Sequence, residues 1–236
     1  MPDIRLTSAA KAYKELSHQT AAWNWLNEQL AGSPVLDQFA RLYRADPPVK
    51  EPSPSHGQPA ASVLLKVPYE FQNDNASGQG YRECFSSSCA MVARFYGKVA
   101  NDDAYNRIRA QFGDSTDSGA QLRALSSLGL QAQFRQNGSA ADLERILREG
   151  RPIPVGWLHK GPVSKPSGGG HWTVVIGFTA DAFIHNDPNG EADLVNGGYV
   201  STAGTAGRGI AYSRKNWLRR WEADGKGSGW YLDIRG

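Results

Sequence analysis

Apolar positions recur at helical spacing twice near the start of the chain. From Ser8, a residue type that caps helices, Ala12, Leu16, Ala22, Trp23, Leu26 and Leu30 make one stripe that stops at Gly32. Pro34 opens a second run in which Val35, Leu36, Phe39 and Leu42 share a side, and Pro47 with Pro48 ends it. Together they predict a small helical hairpin over residues 1–46. The periodicity then lapses. Residues 47–62 are rich in Pro and poor in large apolar side chains, which predicts a semi-extended linker. From residue 63 onward Val63, Leu65 and Val67 alternate with other positions as a strand does, and residues 63–236 read as the main domain. A helix is expected from about Phe85 to Tyr96 with Gly97 just past its end, and two more over 119–129 and 139–150. Ser139 caps the last of these, and Asp142 places a carboxylate in its first turn. Runs at 153–158, 171–178 and 181–187, and the tail segments "GGYVS" and "GSGWYLDI", predict strands. Helices first and an antiparallel sheet after them define an α+β fold.

Composition adds little to this picture. Apolar residues make up 40% and charged residues 21% of the 236, as in ordinary globular chains. The net charge of +3 mildly favours an anionic partner such as a bacterial wall. Lys and Arg are scattered without a run of five, so no nucleic-acid partner is expected. No apolar run approaches about 18 residues, so no membrane span is expected. The first residues lack the apolar stretch of a secretory signal, which predicts synthesis in a cytoplasm, with lysis or carriage in a phage particle as routes out.

The two cysteines change the picture more. Cys84 and Cys89 lie five positions apart on one predicted helix, about 7.5 Å in rise and on different faces, too far for a disulfide. Cys89 falls with Val92, Ala93 and Tyr96 on one side and reads as a buried small hydrophobe. Cys84 stands at the mouth of the helix after the polar stretch "NDNASGQGYRE". There, free backbone N–H groups favour a thiolate and can hold an oxyanion.

A thiolate nucleophile needs a base and an orienting acceptor. His171 follows "SGGG" and starts the strand "WTVVIGF", so it is anchored behind and open in front; His185 in the next strand is the competitor. A hairpin turning at 179–181 returns Asp187 beside His171, where a carboxylate could accept the imidazole Nδ1–H. Asn186 could serve as an amide, but neighbouring strand residues point to opposite faces, so only one of the two reaches it. A metal site from Cys84, His171 and Asp187 lacks paired ligand spacing, and "DPNGEAD" lacks the full spacing of a calcium loop and reads as a turn. No metal and no cofactor are expected.

The runs "VPYEFQNDN…CFSSSCAMVARFYG", "GLQAQF", "LREGRPIPVGWL", "GGHWTVVIGF" and "IHNDPNGE" together resemble the papain-fold cysteine peptidases related to bacteriocin-processing, double-glycine leader peptidases. The resemblance spans about residues 63–190. It implies Cys84 as nucleophile, His171 as base, Asp187 as orienting carboxylate and Gln72 as oxyanion-hole amide, with Gln79 as a rival for that last place. Phe85 stands where the family commonly has Gly after the nucleophile. The tail "GRGIAYSRKNWLRRWEADGKGSGWYL" lies outside the resemblance, and its basic and aromatic character is similar to phage and bacterial versions of the fold that act on cell walls. The expected function is therefore a cysteine peptidase that cuts peptidoglycan cross-linking peptides, of the endolysin or virion-associated lysin type. A protein- or leader-peptide-processing protease is the second reading. A non-catalytic structural or binding protein on the same fold is the third.

Overall fold

The computed structural model describes residues 63–236; the hairpin expected at 1–46 and the linker at 47–62 lie outside the described residues. Strand β1 (Val63–Leu64) is short, and beyond it Leu65 N donates to Ile176 O at 2.8 Å. Two 3₁₀ turns, Gln72–Asp74 and Gly80–Arg82, lead into helix α1 (Cys84–Phe95). Every residue from Phe85 to Ala93 is buried, so α1 is covered on almost all sides. Gly97, at φ 69°, ends it, and Lys98 N bonds back to Ala93 O at 2.9 Å. Such a left-handed position costs Gly least, which explains the stop.

Helices α2 (Asp102–Arg109) and α3 (Ser118–Ser127) lie beside α1. The apolar pattern did not predict α2, because Asp102, Asn106 and Arg109 are buried along with Tyr105. Then come β2 (Gln131–Gly138), α4 (Ala140–Arg148), β3 (Ile153–Trp157), β4 (His171–Phe178) and β5 (Ala182–Asn186). Helix α4 begins with a reciprocal cap: Ser139 Oγ accepts from Asp142 N at 3.3 Å, and Asp142 accepts from Ser139 N at 3.1 Å. The chain ends through β6 (Glu191–Ala192), β7 (Tyr199–Ser201), β8 (Ile210–Ser213), α5 (Arg214–Trp221) and β9 (Gly229–Arg235).

The main sheet is antiparallel in the order β2-β9-β3-β4-β5-β8, with β1 also paired to β4, while β6 and β7 form a separate ribbon. Alternation along β4 divides the core. Val174 and Ile176 join Cys89, Met91, Val92, Leu232 and Ile234 on the α1 side. Val175 and Phe178 join Leu143, Ile146, Phe183 and Trp217 on the side of α4 and α5. The fold is α+β and papain-like, with the helix bearing Cys84 packed against the sheet bearing His171 and Asp187.

Two expectations need correction. Helices and strands are not simply successive, since β2 precedes α4 and α5 falls between β8 and β9. The tail is also core. Strand β9 runs between β2 and β3, Trp217 and Trp221 are 0% and 3% exposed, and Arg220 is 0% exposed. Its guanidinium donates to the carbonyls of Leu194, Leu158, Lys160 and Gly161 at 2.8 to 3.2 Å. Trp217, Trp221 and Arg220 of the tail thus serve internal packing and backbone bonding, while Arg208, Lys215, Arg219, Lys226 and Trp230 are exposed.

Candidate active site

Register brings the site together. His171 is the first residue of β4, opposite Trp157 of β3, and Val174 pairs with Asn186 at the end of β5. Asp187, one residue on, therefore returns beside His171, and His171 Nε2 bonds to Asp187 Oδ1 at 2.7 Å. This corrects the expected ring orientation: Nε2, not Nδ1, faces the carboxylate. Nδ1 is thereby free of the carboxylate, and Cys84 is close enough to help hold the His171 charge. Asn186 points elsewhere, donating to Val67 O and accepting from Gly209 N, so alternation selects Asp187 as expected.

Asp187 is fully buried and fully engaged. Its Oδ1 also accepts from Asn189 N at 3.0 Å, and its Oδ2 accepts from the Tyr212 hydroxyl at 2.9 Å. Tyr212 accepts in turn from Ala192 N. The backbone is fixed by Asp187 N donating to Gly207 O at 2.8 Å, a contact that only Gly permits: a Cβ there would lie 1.9 Å from Asp187 O. Burial pulls His171 toward neutrality, but the charge of Asp187, its hydrogen bond and Cys84 outweigh this and push it up to about 10. Tyr212 was not legible beforehand, because a tyrosine in a β-strand has an ordinary apolar reading.

His185, the competing base, is excluded by its surroundings. It is 0% exposed and packed against Tyr212 and Trp217. Thr173 Oγ1 accepts from Trp157 Nε1 and shares a hydrogen bond with His185 Nδ1 at 2.9 Å. Burial with the nearby His171 pushes the His185 imidazole down to about 3, which keeps it neutral. His159, Tyr199 and Trp157 surround His171 with ring centroids at 5.4, 5.7 and 5.6 Å.

Cys84 occupies the first turn of α1 and is partly exposed, whereas Cys89 is 0% exposed, and both are free thiols. Burial raises the Cys89 thiol far above its usual range. No side chain caps α1, in contrast to α2, α3 and α4, which Asn101, Asp117 and Ser139 cap. Glu83 holds the capping position but turns its carboxylate to Asn75 and Ser77 instead. Phe85 stacks on Trp172 at 3.7 Å between centroids and 6° between planes. Each residue that follows a member of the Cys84–His171 pair therefore packs on the other, which accounts for an aromatic where the related peptidases commonly have Gly.

Gln72 is 3% exposed, and its Nε2 donates to Gly80 O at 2.8 Å. Its backbone N donates to Pro188 O at 2.9 Å, so it is pinned between the turn before Cys84 and the segment after Asp187. Gly80 permits this approach, because a Cβ would lie 2.2 Å from Gln72 O. An amide nitrogen carries two hydrogens, and the bond to Gly80 O uses one of them. Gln79, the rival, is exposed. Asp193 of "DPNGEAD" accepts from Val195 N and Asn196 N, as a turn residue does. Among the described residues no cluster of His, Cys, Asp or Glu is arranged to hold a metal ion, and no helix is long and apolar enough to cross a membrane.

The arrangement can deliver a thiolate, a proton carrier and N–H donors to one carbonyl group. Known proteins agree on its kind. The family model for the papain-like cysteine protease AvrRpt2, peptidase family C70, matches residues 61–195. The fold is similar to a structure described as a C39-like peptidase from Bacillus anthracis, with 14% identity, a TM-score of 0.51, and coverage of 75% of this chain and 98% of that one. A double-glycine motif protease from an AMS/PCAT transporter, solved with its leader peptide, has 19% identity, a TM-score of 0.46 and coverage of 73% and 93%. The peptidase domain of Streptococcus ComA, a bifunctional ABC transporter of a quorum-sensing pathway, has 15% identity, a TM-score of 0.44 and coverage of 73% and 96%. No curated protein matches the chain. The match over residues 61–195 is more than half of the chain, and this protein is a cysteine hydrolase that belongs to the AvrRpt2 family of papain-like cysteine proteases.

Proposed function

We propose that this protein is a protein-processing cysteine protease with Cys84 as nucleophile, His171 as proton carrier, Asp187 as orienting carboxylate and Gln72 as oxyanion donor. The observation that carries the reading is the buried His171–Asp187 pair, whose free ring nitrogen is left for a thiol at an uncapped helix mouth. The thiolate adds to the amide carbon, and the oxyanion takes hydrogen bonds from the Cys84 N–H and the Gln72 amide. His171 gives its Nδ1 proton to the departing amine as the C–N bond breaks. Water then attacks the thioester, His171 accepts its proton, and the S–C bond breaks to restore Cys84. In the same reading residues 1–46 are a separate helical module on the 47–62 tether.

A polypeptide substrate is favoured over wall peptides because the matched family is one of proteases. Of the tail that suggested wall lysis, Trp217, Trp221 and Arg220 are taken up by packing and backbone bonding. To test the reading, the protein and its Cys84→Ala variant are incubated in parallel with a proteome-derived peptide library and with bacterial peptidoglycan, and new amino termini are identified by mass spectrometry. New termini in polypeptides, made by the wild type alone, are expected. Released muropeptides without polypeptide cleavage would restore the lysin reading.

A further inference from the structure

The polar layer on the helical side of α1 has no role in the mechanism above. Glu83 immediately precedes Cys84 and is 3% exposed. Its Oε2 accepts from Asn75 Nδ2 at 2.6 Å, Ser77 Oγ at 2.9 Å and Asn106 Nδ2 at 3.5 Å. Its Oε1 faces Arg109 of α2 at 3.7 Å, and Arg109 is itself 8% exposed. The guanidinium is held from its other sides, with Nε donating to Ser86 Oγ at 3.1 Å and one terminal nitrogen to Gly113 O at 2.8 Å. Gln121 of α3 also reaches Ser86, at 2.9 Å, and the Tyr105 hydroxyl donates to Gln121. The loop from Asn75 to Glu83 and the first turns of α1 are thus fastened to α2 and α3 through one buried ion pair.

A buried carboxylate beside a nucleophilic thiol is costly, because its charge opposes the thiolate at low local dielectric. Nothing in catalysis requires an acid there. A buried guanidinium is also costly unless paired. Their pairing removes both charges from the neighbourhood of Cys84 while the hydrogen bonds of Glu83 hold the turn that precedes it. We propose that Glu83 and Arg109 are positioning residues for Cys84: they fix the turn at the mouth of α1, and Arg109 cancels a negative charge that would otherwise stand one residue from the thiol. This rests on Cys84 as the nucleophile. The other titratable groups facing Cys84 are His171 from β4, backed by Asp187, and Tyr199 from β7. Cys89, one turn further along α1, also interacts with Cys84, and all of these groups are common to every variant below. Asp102 bonds Ser87 one turn into α1 and is raised to about 7 by burial and by Glu70.

The test is the rate of Cys84 alkylation by iodoacetamide between pH 4 and 10, read by mass spectrometry with buried Cys89 as an internal control. Arg109→Met uncovers the carboxylate and is expected to move the half-maximal rate up by about one pH unit. Glu83→Gln leaves the guanidinium uncompensated and is expected to move it down by a similar amount. The double variant returns close to wild type, and Arg109→Lys recovers most of the Arg109→Met shift. Shifts of one sign in both single variants, or none, would overturn the proposal and leave the pair as structural support. Glu83→Gln is nearly isosteric, so its downward shift is required even where Arg109→Met fails to fold. The wild-type profile separately tests the nucleophile: an unshifted, alkaline profile would sink the role of Cys84 without altering the order expected among the variants.

Discussion

The two halves of the site are held by different physics. The nucleophile side, from Gln72 to the end of α3, adds to its apolar cluster a buried polar layer in which Glu83, Ser86, Ser87, Asn75, Asn106, Arg109 and Gln121 bond one another. The base side, from β3 to β9, is an aromatic and aliphatic core with the His171–Asp187 pair buried in it. A hydrogen-bonded layer fixes direction, because its bonds weaken steeply off axis. A packed apolar core fixes distance, because its atoms cannot interpenetrate or leave gaps. The thiol therefore depends on oriented neighbours, and the imidazole on filled volume.

Several substitutions break this contrast in measurable ways. The largest effect is expected from Asp187→Asn, which keeps the shape but removes the charge that orients and protonates His171; kcat should fall by about 10³–10⁴-fold, read from steady-state hydrolysis of a cleaved peptide. Trp217→Ala empties the base-side core beside His185 and Phe183 and should cost about 3–5 kcal/mol in a denaturant titration. On the nucleophile side Gln121→Leu removes no comparable volume but strands the Tyr105 hydroxyl and Ser115 O, and should cost about 1–3 kcal/mol by the same titration.

The pH dependence sharpens the comparison. His171 is held at about 10 against an ordinary value of 6.5, so its pairing stabilises the fold fully below about pH 6.5 and is lost as the pH rises toward 10. The melting temperature should fall across that window by roughly 5 °C or more, and Asp187→Asn should flatten the fall. Ser139→Ala, remote from both halves, should cost only about 1 kcal/mol of helix capping. An equal response to it and to Trp217→Ala would mean that the base side is not held by packing.

The legible parts of this molecule are those where a local rule and the tertiary fold agree. Helix α1 stops at Gly97 for a backbone reason, α4 starts at Ser139 for a hydrogen-bonding one, and β4 spans the apolar run from His171 to Phe178. The placement of Asp187 beside His171 followed from a hairpin and the two-residue alternation of strands. Helix α2 escaped because its buried face carries Asp102, Asn106 and Arg109, which a hydrophobic pattern reads as surface. Arg220 in the tail is the complementary case: a charged side chain carries no sign of burial in a hydrophobic pattern, yet four carbonyls solvate it inside. The orientation of the His171 ring was never legible, since it depends on which ring nitrogen meets a carboxylate 16 positions away.

The stack of Phe85 on Trp172 bears on how accurately chemistry can be aimed. Two parts joined at a distant fulcrum turn every small rotation into a large error at their tips. Here the joint lies one residue from both tips, so the lever arm is about as short as a chain allows. A contact so close to both tips ties the position of the sulfur to that of the imidazole through two stacked rings.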